Sequence, residues 1–337
     1  MIDGILPIDK PIGWTSHDVV ARVRRVARQR QVGHAGTLDP LASGLLLLVL
    51  GSATRLSSYL MEGTKTYCAE VVLGATTKTD DAEGPLESQA DISHIDLPAI
   101  RVALAHFTGD IDQIPPAYAA VRHHGEKLYM LARKGAHVRP EARRVRIDYV
   151  DLLAWSPPRL RLRVTCGSGT YIRALARDIG ATLGVGGYLH VLRRVASGSF
   201  HVTDALPLEN LDEESLNTHL QPPDRAILTL PAVVLDYDNE QRLIHGAALS
   251  LSKDNRSAGI PSSPTPSPVH GRGGNEDIIS VGTVAPSLSS HAAAPTSRSP
   301  DTTRSNTVRV YSQTGTLLAL ASLSDNLLQP RRVFARI

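Results

Sequence analysis

Residues Val32–Gly51 read VGHAGTLDPLASGLLLLVLG. Within this stretch Leu45–Leu50 is an uninterrupted apolar run bounded by Gly44 and Gly51. Such a run reads as a strand buried on both faces, because a half-exposed strand would alternate apolar with polar residues. A strand in the middle of a packed sheet holds its ends rigidly. The carboxylate of Asp39, on the loop entering that strand, therefore has two readings. Asp before Pro, beside Gly and Thr, is common turn chemistry in which the side chain caps nearby N–H groups. An acid fixed by a rigid element is also how a reactive group is held in place.

Working outward, Thr15 and Asp18 have the spacing of a capping box, and the helix they open places Val19, Val20, Val23, Val26 and Ala27 on one face. A short helix is expected from about Ser52 to Leu60. Lys65–Leu73 alternates, with Tyr67, Ala69, Val71 and Leu73 on one side, and predicts a strand. Asp96 and Pro98 mark the start of a helix running to about Phe107, and a further helix is expected over Glu126–Lys134, ended by Gly135. Strands follow at Val145–Leu153 and Leu160–Cys166. CGSGTYIRALARDIG then turns into a helix whose apolar face is Ile172, Leu175, Ala176 and Ile179. Strands and helices mixed without strict alternation predict an α+β fold with a largely antiparallel mixed sheet, not a doubly wound one.

The domain plan follows from changes of texture. Residues 1–206 form the first domain, and 207–231, acidic and punctuated by Leu and Pro, read as a linker. Residues 232–337 form a small β domain with a hairpin turning near Thr314 and Gly315. Its sequence is interrupted at about 255–306 by a Ser/Pro-rich tract expected to be disordered.

With 337 residues and 42% apolar content the chain can bury a large core. No stretch approaches the roughly eighteen apolar residues of a membrane span, and MIDGILPIDKP lacks the basic-then-apolar build of a signal peptide, so a cytoplasmic protein is expected. Cys68 and Cys166 have no metal-ligand spacing and read as structural thiols. No metal or cofactor is expected, and the absence of G-x-G-x-x-G and P-loop patterns disfavours nucleotide chemistry. The net charge is only +3, but Val121–Arg177 holds thirteen Lys/Arg against four Asp/Glu. That asymmetry fits either a surface that binds a phosphate backbone or an ordinary solvated face.

Taken together, DKPIGWTS (9–16), GHAGTLDPLASGLL (33–46), KTY (65–67), TKTDDAEG (77–84), GSGTYIR (167–173) and LRR (192–194) resemble the motifs, in order, of the bacterial tRNA pseudouridine synthase B (TruB) family. They span about three-fifths of the chain, Gly4–Phe200. The resemblance implies conversion of uridine 55 in the T arm of tRNA to pseudouridine. It implies that Asp39 is the catalytic aspartate, that Arg173 pairs with it, and that His34 fills the space left by a flipped-out nucleotide. Tyr67 and Tyr171 would flank the extruded uracil, Leu192 would pack near it, and Lys10 of the first motif would join the substrate-binding set. HGEKLYMLARKG (124–135) resembles stand-alone enzymes, so no guide RNA and a monomer are expected. The C-terminal domain resembles a PUA-like module that touches the acceptor side of tRNA, although the long insertion departs from the usual pattern.

The chemistry suits these residues. Isomerisation breaks N1–C1′ and joins C5 to C1′ without redox or an external nucleophile, so one ionised carboxylate suffices where a glycosidase uses two. Asp39 could attack C1′, add to C6 or abstract a sugar proton. A guanidinium beside it favours the charged form in a dry pocket. Flipping the base costs roughly a few kcal/mol, part of which stacking on tyrosine returns. Removing the C5 proton needs a relay, which the Tyr67 phenol could supply. Tyr67 and Tyr171 as core residues, His34 as a turn residue and Arg173 as a helix-surface residue are the plainer alternatives. Two other functions compete: a tRNA-binding or tRNA-folding protein without catalysis, and a nucleoside hydrolase, whose metal-binding Asp cluster is missing here.

Overall fold

A computed structural model describes residues 2–119, 122–123, 126–127, 140–251 and 306–334. The apolar run does form a strand, Ala42–Leu50, buried at every position but Ser43. Its even-numbered leucines, Leu46, Leu48 and Leu50, join one core, while Leu45, Leu47 and Val49 join another on the opposite face. Both faces are covered, as an uninterrupted apolar strand requires.

The elements around it run β1 (Gly4–Lys10), α1 (Ser16–Val26), β2 (Val32–His34), β3 (Ala42–Leu50), a 3-10 turn (Gly51–Leu56) leading into α2 (Ser57–Glu62), and β4 (Lys65–Leu73). Next come β5 (Ala75–Thr77), β6 (Leu86–Gln89), α3 (Leu97–Ala105), β7 (Gly109–Gln113), β8 (Arg122–His123) and β9 (Glu126–Lys127). They are followed by β10 (Arg143–Ser156), β11 (Arg159–Cys166), α4 (Ile172–Thr182), β12 (Gly187–Ser197), β13 (Phe200–His201) and β14 (Leu206–Pro207). Among the described residues the main sheet has the order β14-β1-β3-β12-β4-β11-β10-β7, with β2 beside β3 and β13 beside β12. Its pairings are antiparallel except β1–β14 and β3–β12. The sheet is thus mixed and largely antiparallel.

Helices α1, α3 and α4 cover one face through Val19, Val23, Ile100, Leu104, Leu175 and Ile179. Near β3 the other face is closed by Ala53, Leu60 and Phe200. At the parallel β3–β12 seam Gly44 stands opposite Arg194 with φ +97°, and a Cβ there would lie 2.3 Å from the Arg194 carbonyl oxygen. Only glycine allows the two backbones this approach.

Several sequence expectations shift. The helix expected over 52–60 splits into a 3-10 turn and α2. Glu126 and Lys127 lie in a strand paired with β8, not in a helix, and the rest of the expected helix lies outside the described residues. The 207–231 stretch contains a 3-10 turn (Leu208–Asn210), α5 (Glu213–His219) and a second 3-10 turn (Pro223–Ile227). Leu208, Leu211 and Leu216 are buried in the main core, because leucines at these spacings give an otherwise acidic segment one apolar side.

The chain divides into two compact units, Met1–Ile227 and Leu228–Ile337. The second holds β15 (Ala232–Leu235), α6 (Tyr237–Ile244), β16 (Leu249–Ser250), β17 (Thr307–Ser312), β18 (Leu317–Ser324) and β19 (Leu327–Val333), in a sheet ordered β15-β17-β18-β19-β16. Gly315, at φ +82°, turns the β17–β18 hairpin. The expected disordered tract at 255–306 lies outside the described residues apart from Asn306. Among the described residues no helix is long and apolar enough to cross a membrane.

Candidate active site

Asp39 sits on a loop that is fastened on both sides. The capping box forms as the spacing predicts, with Thr15 Oγ1 accepting from Asp18 N–H (3.1 Å) and the Asp18 carboxylate accepting from Thr15 N–H (3.0 Å). That places buried Ser16 at the first turn of α1. Its hydroxyl donates to the Leu38 carbonyl (3.1 Å) and accepts from the Leu38 N–H (2.9 Å). Gly13 N–H donates to the Pro40 carbonyl at 2.8 Å, and Ala42 N–H to the Asp39 carbonyl at 3.0 Å. From β12 the fully buried Arg194 donates to the carbonyls of Leu45 (2.6 Å) and Gly36 (3.2 Å).

The second half of the site is the first turn of α4. The preceding Gly-rich turn is fixed by Gly167 N–H on the Arg146 carbonyl (2.8 Å) and Thr170 Oγ1 on the Gly167 carbonyl (3.1 Å). Arg173 then reaches four acceptors at once. Its Nε lies 3.0 Å from Asp39 Oδ2 and its Nη1 3.2 Å from Asp81 Oδ2. The carbonyls of Thr79 (3.3 Å) and Tyr118 (3.2 Å) accept from Nη1 and Nη2. The two carboxylates differ in what they have left to offer. Asp81, 4% exposed, also accepts from Thr79 Oγ1 (2.5 Å) and Glu83 N–H (3.1 Å). Asp39 is 40% exposed, and Arg173 is its one polar side-chain partner among the described residues. Asp81 anchors the guanidinium, while Asp39 keeps acceptor capacity for something in the space beside it.

That space is a cavity of about 320 Å³ lined by Asp39, Arg173, Tyr67, Tyr171 and Leu192, together with Lys65 and Arg194. Burial pushes the Tyr67 phenol up, with Arg194 opposing. Burial also raises Tyr171, opposed by Arg143 and Arg173. Both phenols therefore stay protonated at neutral pH and present an O–H donor with a flat apolar ring. Lys65 spends its ammonium on the carbonyls of Met61, Gly63 (2.6 Å) and Leu60 (3.5 Å), and burial lowers it to about 8.

Asp39, Tyr67, Tyr171, Leu192 and Arg173 thus meet around one cavity. Lys10 and His34 do not line it. Lys10 is buried, with its Nζ on the carbonyls of Pro11 (3.0 Å) and Trp14 (2.7 Å), and burial lowers it to about 8 against the pull of Asp39. It shapes the turn leading into α1. His34 lies on β2 with His17 edge-on at 5.5 Å, its Nδ1 is buried without a hydrogen-bond partner, and desolvation lowers its pKa. Sequence reading assigned no role to Arg194, Asp81 or Lys65, although each falls inside a quoted motif. The short apolar–basic run LRRVA, with Leu192 before the arginine pair and Val195 and Ala196 after it, was the available signal for Arg194. Among the described residues no group of three or more His, Cys, Asp or Glu side chains is arranged to hold a metal.

Comparison with known proteins bears on this site. The family described as "TruB family pseudouridylate synthase (N terminal domain)" matches residues 24–172, and the "tRNA pseudouridylate synthase B C-terminal domain" matches 173–235. The tRNA pseudouridine synthase B of Dehalococcoides mccartyi is 44% identical over 254 residues, covering 74% of this chain and 85% of the relative. That of Burkholderia mallei is 44% identical over 255 residues, covering 75% and 84%. Among solved structures, a chain from the crystal structure of a Cbf5-Nop10-Gar1 complex has a TM-score of 0.66 at 24% identity, covering 99% of this chain and 85% of that one. At that identity the likeness concerns the fold.

Proposed function

The chain belongs to the TruB family of pseudouridylate synthases, and from that premise we propose that it isomerises uridine 55 in the T arm of tRNA to pseudouridine. The observation that carries the reading is the 3.0 Å contact of Arg173 with Asp39 at the wall of a cavity that also presents Tyr67 and Tyr171. Asp39, held by the Arg173 guanidinium, starts the reaction at the nucleotide. The N1–C1′ bond breaks, the uracil turns within the cavity, C5 joins C1′, the C5 proton leaves and N1 gains one. Atoms and electrons balance without a cofactor. Tyr67 and Tyr171 hold the base, with the Tyr67 hydroxyl relaying the C5 proton, and Leu192 packs against it. His34 holds the place the base vacates, and Lys10 acts through the turn it shapes. The second unit, read as PUA-like, touches the acceptor side of tRNA, and the enzyme works as a monomer without a guide RNA.

Release of tritium from tRNA labelled at uridine C5, followed by mapping of the modified position, tests the proposal. Release with pseudouridine at position 55 supports it. Tight tRNA binding without release would leave an RNA-binding protein, and release at another position would overturn the T-arm assignment.

A further inference from the structure

Tyr171 occupies the N-cap of α4, a position usually held by Ser, Thr, Asp or Asn because their short side chains accept from the first N–H groups of the helix. Tyrosine cannot do this, and Tyr171 makes no side-chain capping bond. Its ring lines the cavity instead. An aromatic residue at a helix entry, following a Gly-rich turn, would leave the backbone there poorly determined unless something else held it.

Gln113 does so. It ends β7, at the edge of the main sheet, and is only 2% exposed. Its Oε1 accepts from the Tyr171 N–H at 2.8 Å, and its Nε2 donates to the Tyr171 carbonyl at 3.1 Å. A single primary amide thus grips both polar groups of one residue, as a neighbouring strand would. The segment beyond it reinforces the grip. Arg177 donates to the Ile114 carbonyl (2.9 Å) and Arg173 to that of Tyr118 (3.2 Å). Tyr171 and Arg173 are two residues apart, so a shift in the backbone at the first moves the guanidinium that meets Asp39.

We infer that Gln113 is a positioning residue of this site: its amide fixes the Tyr171 backbone, and through it sets the ring against the base and Arg173 against Asp39. The inference rests on the functional reading above but is read from geometry that no comparison assigns. It predicts a specific pattern. Gln113→Met keeps the volume and removes both bonds. Gln113→Glu keeps the acceptor for the Tyr171 N–H but faces the Tyr171 carbonyl with a lone pair when ionised. Protonation supplies an O–H donor and restores the pair, and burial favours that protonated form.

The test is single-turnover pseudouridine formation by the full-length chain at saturating enzyme, with tRNA Kd and Tm measured separately. For Gln113→Met the rate should fall by about tenfold to a hundredfold, the scale of a misplacement near 1 Å, while Kd changes by no more than about threefold. For Gln113→Glu the rate should be low near pH 8 and recover relative to the unsubstituted protein toward pH 6. A fluorine NMR signal from 3-fluorotyrosine at position 171 should shift or broaden in Gln113→Met, a readout that needs no turnover. Unchanged rates in both variants, or a lower Tm with an unchanged rate and an unchanged fluorine signal, would overturn the inference. If the unsubstituted chain forms no pseudouridine, the functional reading fails, and the fluorine signal alone decides whether Gln113 holds Tyr171.

Discussion

Ser16 and Leu38 are joined by two hydrogen bonds running in opposite directions, hydroxyl to carbonyl at 3.1 Å and N–H to hydroxyl at 2.9 Å. The residue after Leu38 is Asp39, so a side chain at the start of α1 sets the backbone from which the carboxylate projects. Ser16→Ala should leave the Leu38 N–H and carbonyl buried and unpaired. The expected destabilisation is about 1–3 kcal/mol in denaturant unfolding, with turnover falling further than tRNA affinity. Equal losses in both would mean that the bond pair serves RNA binding rather than the carboxylate.

Asp39→Asn preserves shape and most hydrogen bonding but removes the charge. The variant should fold, bind tRNA with near-normal Kd and release no tritium from C5-labelled tRNA. Substantial single-turnover release would sink the catalytic role assigned to Asp39.

Arg173 separates stability from activity in a way its neighbours do not. Removing the guanidinium strands the buried Asp81, and breaking such a pair costs about 3–5 kcal/mol, so Arg173→Met should be strongly destabilised as well as inactive. Combining it with Asp81→Leu removes the stranded charge and should restore much of the melting temperature while leaving turnover absent. Recovery of turnover in the double variant would show that Arg173 is not needed at Asp39.

Tyr67→Phe keeps the ring and loses the hydroxyl. Binding of tRNA should survive while the single-turnover rate falls steeply, and Tyr67→Leu should lose both. Wild-type turnover with phenylalanine would reduce Tyr67 to a stacking surface.

Titration offers a prediction independent of activity. Burial lowers both Lys10 and Lys65 from 10.5 to about 8, so folding favours their neutral forms. The penalty for burying the ammonium groups is fully present below about pH 8 and relieved between 8 and the unfolded value of 10.5. Stability should therefore rise with pH in that window, by up to about 1 kcal/mol per pH unit for each lysine. Cys166 opposes this, since burial raises its thiol from 9.0 to about 11 and the stability it confers is lost across that range. The net rise should be clearest between about pH 8 and 9, as read by urea midpoints, and Lys65→Met should flatten it by roughly half. A falling profile over that interval would contradict the burial of the two ammonium groups.

What the sequence disclosed, and what it withheld, follows from where side chains break a pattern. β3 and β4 were legible because a short apolar run bounded by glycines and a face formed by Tyr67, Ala69, Val71 and Leu73 both favour strands. β12 was not read as a strand, although Leu192 and Arg194 on it line the cavity, because its polar and apolar residues keep no steady period; register shifts between Leu189 and Val191 and between Arg194 and Ala196 disturb the alternation. Likewise β1 escaped notice, since its buried Lys10 looks like a surface residue until the Pro11 and Trp14 carbonyls are seen to accept its hydrogen bonds. Asp39 and Arg173 could be named from motifs, but Asp81 became a partner only when the loop at 79–81 folded against α4. Gln113 lies 58 residues from Tyr171, and no local pattern connects them.

The order of strands also governs when the site comes into being. β3 and β4 follow one another along the chain, yet in the sheet β12 lies between them. While the ribosome has made only the first half of the protein, the two strands face an unfilled slot, and neither Leu192 nor Arg194 is there to form the cavity wall. The loop bearing Asp39 likewise lacks the arginine that ties Gly36 and Leu45 to the sheet. A nascent chain ending before Gly187 should therefore carry the aspartate but no pocket around it. Such a fragment is expected to form no pseudouridine until the strand that completes the cavity wall has emerged and been inserted.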